Sequence, residues 1–140
     1  MKILVAVDGS TYTKRMLAYL AAHDEWMGNQ HEYTVINVVA AVPPRAAAAL
    51  DKEALDSYYQ DEAERVFEPV RAFFAQQGLN ARFEPRVGHA GEVIAKLADD
   101  GRYDLLAMGS HGHSTLGSLV MGSVASKVLG HCQAPVLLIR

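Results

Sequence analysis

The sequence predicts an α/β fold: a single doubly wound sheet of five parallel strands in the order 3-2-1-4-5, with helices on both faces. Short apolar runs alternate along the chain with longer segments of helical periodicity, the pattern of β-α-β units with right-handed crossovers. The chain has 140 residues, near the commonest domain size, and 50% of them are hydrophobic, enough for one core. No linker or internal repeat divides the pattern. We therefore predict that residues 1–140 form one domain.

The first two predicted strands, Ile3–Val7 and Tyr33–Ala40, are largely apolar, as expected of parallel strands that are covered on both faces. Between them, a helix is predicted to begin after a cap at Ser10 or Thr11 and to reach about Met27. Four apolar side chains are predicted on or near its inner face: Met16, Leu17, Leu20 and Trp26.

The middle of the chain predicts a loop and one long helical stretch. The loop holds Pro43, Pro44 and Arg45, and the helical stretch runs from Asp51 to Gln77 and stops at Gly78. Pro69 lies inside the stretch and removes one backbone donor, so we expect a kink or break there.

The remaining elements alternate in the same way. Pro85 suits an edge strand because it cannot donate to the strand ladder. The predicted elements are a strand at Ala81–Val87, a helix at Glu92–Asp99, a strand at Asp104–Met108, a helix at Val124–Leu129 and a strand at Pro135–Arg140.

The most informative stretch is Met108–Gly112, which is followed later by Gly122-Ser123. It comes at the end of the fourth predicted strand and leads into the helix that starts at Val124. Glycine allows close backbone approach and positive φ, and the first turn of a helix offers unpaired N–H groups and the positive end of its dipole. We expect the loop 109–123 to bind a phosphate.

Better-known phosphate motifs fit this loop less well. Residues 112–118 have the spacing of a P-loop, but Ser118 stands where that motif has its lysine. The dinucleotide motif G-x-G-x-x-G is absent, and the loop follows a late strand, whereas that motif follows the first. The pattern that remains is G-x2-G-x9-G-S.

The predicted strand order brings two distant features together. Strands 1 and 4 are neighbours whose following helices leave to opposite faces, which opens a ligand crevice at their carboxyl ends. Asp8 ends strand 1 and Gly109 ends strand 4. Asp8 is therefore predicted to face a ligand, although it could simply end the strand or cap the next helix. Ser123 could likewise be a helix cap, a role compatible with phosphate binding.

The pattern Gly109-x2-Gly112-x9-Gly122-Ser123 resembles the ATP-binding signature of the universal stress protein family. Lys2–Ser10 and Ala134–Arg140 resemble the family's first and last strands. The resemblance covers essentially the whole chain and is weakest over residues 42–60. It implies a small cytoplasmic α/β protein, usually a homodimer, whose nucleotide-binding members hold ATP with little or no hydrolysis.

The resemblance also implies roles for individual residues. Asp8 would contact the nucleoside part, and Ala6 and Val38 would line the adenine pocket. The cofactor is predicted to be ATP, with Mg²⁺ held through its phosphates and not by a protein cage. The predicted nucleotide-binding residues are Ala6, Asp8, Val38, Met108, Gly109, Gly112, Gly122, Ser123 and Val124.

No residue is predicted to be catalytic or to bind a metal directly. His111 and His113 have H-x-H spacing, but no third ligand is evident nearby. Cys132 has no identifiable His–acid pair and is predicted to be a small apolar filler. His89 is predicted to lie in a loop, and no G-x-S-x-G nucleophile motif occurs.

Composition excludes several partners and compartments. The formal net charge of −3 argues against nucleic-acid binding driven by backbone electrostatics. No apolar run approaches the roughly 20 residues that span a bilayer, and Ile3–Val7 is too short for the core of a signal peptide. A single cysteine fits the reducing cytoplasm.

Three functions remain open. The favoured one is a regulatory protein of the stress response in which ATP occupancy, and not turnover, is the output. The second is a slow ATP hydrolase or phosphotransferase that uses His111, His113 or Ser123, against which the missing lysine and general base argue. The third is a partner-binding domain with no nucleotide, against which the glycine pattern argues.

The last strand predicts a homodimer. Val136–Ile139 is an uninterrupted apolar run that the predicted order places at a sheet edge. Such an edge tends to aggregate unless it is covered, and a two-fold axis can pair it with its own copy in antiparallel fashion. In the alternative, Arg140 and the terminal carboxylate protect the edge of a monomer.

Overall fold

The computed structural model describes residues 1–113 and 120–140. The sheet has five parallel strands in the order β3-β2-β1-β4-β5, so the predicted fold class is confirmed. In chain order the described elements are β1 (Lys2–Ala6), α1 (Thr11–Ala22), β2 (Glu32–Val39), α2 (Pro44–Ala48), α3 (Lys52–Gln76), β3 (Ala81–Val87), α4 (Ala90–Asp100), β4 (Leu105–Gly109), α5 (Ser123–His131) and β5 (Val136–Ile139).

Two hydrophobic cores cover the two faces of the sheet. Successive strand side chains point to opposite faces, so Ile3 packs in one core and Leu4 in the other. The first core includes Met16 of α1 and Phe67 of α3. The second includes residues of α4 and α5, among them Val128. The helices that follow β1 and β4 therefore lie on opposite faces, and the crevice predicted between these strands can open.

Helix α1 is shorter than predicted. It ends at Ala22, and the prediction that it reaches Met27 is wrong. His23 closes the helix, because its ring nitrogen Nδ1 bonds the carbonyl of Tyr19 and the chain then continues in turns. Trp26 is 37% exposed, so its predicted place on the inner face is also wrong.

Two prolines behave differently from their predictions. Pro44 does not lie in a loop but begins the short helix α2, where its fixed φ and missing N–H suit the first helical position. Of the kink or break predicted at Pro69, the break is wrong, because α3 is continuous from Lys52 to Gln76. Pro69 is exposed between the buried Phe67 and Val70, so its ring faces solvent, where water can satisfy the freed carbonyl.

The two edges of the sheet are β3 and β5. Pro85 lies in β3, so its predicted edge position is confirmed. The four residues of β5 are half-buried in the single chain. Across the described residues, no helix has the length and apolar character needed to cross a membrane.

Candidate functional site

A cleft opens at the carboxyl ends of β1 and β4. It encloses about 790 Å³, part of which is open to solvent. All nine residues predicted to bind nucleotide line this cleft. Sequence reasoning had not assigned the other described lining residues to nucleotide binding: Val7, Thr13, Asn37, Ala90, Ile94, His111, His113 and Ala125.

The Asp8 carboxylate uses its two oxygens differently. Oδ1 accepts hydrogen bonds from the backbone N–H of Ser10 and from Oγ1 of Thr13, both at 2.9 Å. Oδ2 lies beside Gly112, where an added Cβ would come within 2.8 Å of it. Asp8 therefore shapes the turn after β1 with one oxygen and offers the other to the cleft.

The glycines of the signature are required by close packing. An added Cβ at Gly109 would come within 2.6 Å of Cβ of Tyr12, and one at Gly122 would come within 3.1 Å of the carbonyl oxygen of Ser110. Gly122 has φ of −74°, and none of the signature glycines has positive φ, so they are explained by close packing and not by a left-handed backbone. The loop folds back on itself, since the N–H of Gly122 donates to the carbonyl of Ser110 at 2.7 Å.

The N-terminus of α5 presents N–H groups to the cleft that have no hydrogen-bond partner among residues 1–113 and 120–140. Gly122 precedes the helix and Ser123 is its first residue, so Ser123 is not the cap. The first bond of the helix runs from the N–H of Ser126 to the carbonyl of Gly122, which leaves the N–H groups of Ser123, Val124 and Ala125 without an intrahelical partner. All three residues line the cleft. This end of the cleft therefore suits an anion.

The cleft also has an apolar part and one buried amide side chain. Ala6, Val38 and Met108 line the apolar part together with Ile94 of α4. Asn37 is buried, and its Nδ2 donates to the carbonyl of Val7 at 2.8 Å, which holds the end of β1 beside β2. In the sequence, an asparagine within the apolar run of β2 was the signal that could have identified Asn37 as a site residue.

Two histidines line the mouth of the cleft. Nε2 of His113 donates to the backbone carbonyl of Asp8 at 2.6 Å and links the loops after β1 and β4. The ring of His111 lies 4.9 Å from that of Tyr12, and its Nδ1 is 2.8 Å from Oγ of Ser110. Residues 1–113 and 120–140 contain no cluster of three metal-ligating side chains. The P-loop-like spacing ends in residues 114–119, outside the described residues.

Two ionisable groups that pack against α5 or directly follow it have shifted pKa values. Lys127 lies 3.1 Å from Glu92 across α4 and α5, and its hydrogen bond and charge lower the pKa of that carboxyl. Burial raises the pKa of the Cys132 thiol, whose Sγ lies 3.6 Å from Oδ1 of Asp99. A protonated, half-buried thiol is a weak nucleophile, consistent with the predicted role of Cys132 as a filler.

The fold and the cleft define a doubly wound α/β protein with an anion-compatible ligand site at its topological switch point. Residues 1–140 match the family model described as the universal stress protein family. The chain belongs to this family, as the resemblance of its glycine pattern predicted.

Relatives in other organisms are similar over nearly the whole chain. A universal stress protein of Thermus aquaticus is 31% identical over 138 residues, covering 99% of this chain and 97% of that protein. The universal stress protein Slr1230 of Synechocystis is 33% identical over 139 residues, covering 99% of this chain but 42% of that protein. The chain thus spans less than half of the Synechocystis relative.

Solved structures share the fold. The hypothetical protein MJ0577 of Methanocaldococcus jannaschii superposes with a TM-score of 0.81 at 25% identity, covering 99% of this chain and 94% of that one. A universal stress protein family protein of Arabidopsis thaliana with AMP bound has a TM-score of 0.70 at 18% identity and covers 99% and 90%. The Archaeoglobus fulgidus protein in complex with dAMP has a TM-score of 0.66 at 21% identity and covers 100% and 98%.

Proposed function

We propose that this protein binds ATP in the cleft and that nucleotide occupancy, rather than turnover, is its output in a stress response. The observation that carries the proposal is that one cleft holds both a carboxylate acceptor and a group of backbone N–H donors. A carboxylate oxygen of Asp8 and the N–H groups that begin α5, which lack an intrahelical partner, line the same space. A nucleotide carries hydroxyl donors at its sugar and negative charge at its phosphates.

The carboxylate, the N–H donors and the apolar part of the cleft also orient the ligand. The phosphates would lie against the first turn of α5 and the backbone at Gly109 and Gly112, because Asp8 would repel them. The base would fill the apolar part lined by Ala6 and Val38, and a sugar hydroxyl would donate to Asp8. Solved proteins of similar fold with AMP, cAMP and dAMP bound support an adenine nucleotide.

Mg²⁺ would accompany ATP through its phosphates. Among the described residues that line the cleft, Asp8 carries the single carboxylate. One carboxylate is too few for a dedicated protein cage, whereas Mg²⁺ is commonly held by substrate phosphates with few protein ligands.

Titration calorimetry of the purified protein with ATP and Mg²⁺ tests nucleotide binding. We expect a stoichiometry of one per chain, and we expect inorganic tripolyphosphate to bind far more weakly, because it lacks the base and sugar that fill the apolar part. Mass spectrometry of small molecules released on denaturation identifies any nucleotide that copurifies. Absence of binding by ATP, ADP and AMP alike would favour the partner-binding alternative.

We expect bound ATP to remain intact over many minutes. No lysine or arginine lies among the described residues of the cleft, and Nε2 of His113 donates to the backbone carbonyl of Asp8. Phosphate release is measured with purified protein, with the protein-free solution as the control. Release at about one per second or faster, abolished by a substitution at Ser123 or His113, would establish the hydrolase alternative.

The proposal also covers the oligomeric state and the cellular location of the protein. We propose a homodimer through Val136–Ile139, the free edge of the sheet, and a cytoplasmic location, which the single cysteine supports.

A further inference from the structure

Thr13 lies in the first turn of α1 and contacts Asp8 twice. Its Oγ1 accepts a hydrogen bond from the backbone N–H of Asp8 at 3.0 Å and donates one to Oδ1 of the same residue at 2.9 Å. Thr13 is 5% exposed, and it lines the cleft. One hydroxyl therefore bonds both the main chain and the carboxylate of the residue at the end of β1.

These bonds determine which way the carboxylate faces. With donors from Thr13 and from the N–H of Ser10, Oδ1 is held against the turn, and rotation about the side-chain bonds of Asp8 would break both contacts. Oδ2 is left beside Gly112 at the cleft. A fixed acceptor binds a donor with less loss of conformational entropy than one that must first be ordered.

The hydroxyl is not explained by helix capping. Ser10 occupies the cap position of α1, yet its side chain makes no capping bond, and its buried Oγ has no partner within the described residues. The Thr13 hydroxyl therefore bonds Asp8 and does not cap the first N–H groups of α1.

We propose that Thr13 is a positioning residue of the nucleotide site: it orients the Asp8 carboxylate so that Oδ2 accepts a hydrogen bond from a sugar hydroxyl of the ligand. The inference rests on the proposed function and deepens it, because it assigns recognition of the ribose hydroxyls to a pair of residues.

A double-mutant cycle tests the proposal, with ATP affinity measured by calorimetry for the wild type, Thr13→Val, Asp8→Ala and the double variant. We expect Thr13→Val to weaken ATP binding about tenfold in the wild-type background, the effect of one hydrogen bond to a charged group. In the Asp8→Ala background it should have no further effect. Thr13→Ser, which keeps the hydroxyl, should restore the affinity, and Thr13→Ala provides a second variant without it.

A second measurement separates positioning from a structural role. The wild type should bind ATP more tightly than 2′,3′-dideoxy-ATP, which lacks both sugar hydroxyls, and Thr13→Val should reduce that preference. Thermal unfolding of each variant monitors the fold. An equal loss of affinity in both backgrounds, or an undiminished preference in Thr13→Val, would overturn the proposal. If the wild type binds no nucleotide, the proposed function fails too; if it binds and Thr13→Val binds equally well, this proposal alone fails.

Discussion

Replacing Ser123 with glutamate should weaken ATP binding by about a thousandfold, because two unit charges about 4 Å apart near a protein surface repel by about 4 kcal/mol. Ser123 is the exposed first residue of α5, and it lines the cleft. An acidic residue in the first turn of a helix interacts favourably with its dipole, so stability should be unchanged or slightly higher. Calorimetry measures the affinity, and thermal unfolding measures the stability.

Two controls isolate the charge at this position. Ser123→Gln has nearly the same size as the glutamate variant without its charge, and Ser126→Glu adds the same charge at an exposed position outside the cleft lining. Both should bind ATP much more tightly than Ser123→Glu. Equal affinity of Ser123→Glu and Ser126→Glu would show that the phosphates do not lie at the start of α5.

Ser123 is a better test position than Gly122. A bulky residue at Gly122 would also block the approach of a phosphate to the loop. An added Cβ there would come within 3.0 Å of Cα of His111 and 3.1 Å of the carbonyl oxygen of Ser110, so the loop backbone itself would have to shift. Loss of binding in such a variant would not distinguish a blocked site from a displaced loop.

Replacing Leu138 with proline should convert the proposed dimer to a monomer of lower stability. The carbonyls of Pro135 and Ile139 accept hydrogen bonds from β4, so the alternation of a parallel ladder turns the N–H groups of Val136 and Leu138 toward the free edge. Proline at position 138 removes one outward donor without removing a bond to β4. Sedimentation at micromolar concentration measures the oligomeric state.

The matched control for this substitution is Leu138→Ala. Leu138 packs against the second core, so either substitution loses some packing, but alanine keeps the outward N–H and the dimer should persist. Leu138→Lys is less informative, because it would place a charge against that core. A wild type that sediments as a monomer, or a proline variant that sediments as the wild type does, would contradict the assignment of β5 as the dimer edge.

Local pattern was enough to predict most of the fold. Strand bounds agree with the structure within one residue, because apolar runs such as Ile3–Val7 are long enough to mark a strand covered on both faces. The ends of the helices were harder to predict. The end of α1 at Ala22 depends on a contact between His23 and Tyr19, and α3 passes Pro69 because that face is exposed. Periodicity does not encode such side-chain contacts, nor does it show whether a helix continues through a proline.

The sequence by itself determined the α/β class, the family and a group of residues that lie around one cleft. The class follows from hydrophobic periodicity, and the family and the residue group follow from the glycine spacing and the resemblance it carries, whereas the strand order was a hypothesis that periodicity does not fix. Only the tertiary structure decided that Oδ2 of Asp8 faces Gly112, that Thr13 holds the other oxygen and that Asn37 bonds Val7. These contacts depend on the register of neighbouring strands and on the turn after β1, because hydrogen bonds require partners within about 3 Å, a precision that spacing along the chain does not provide.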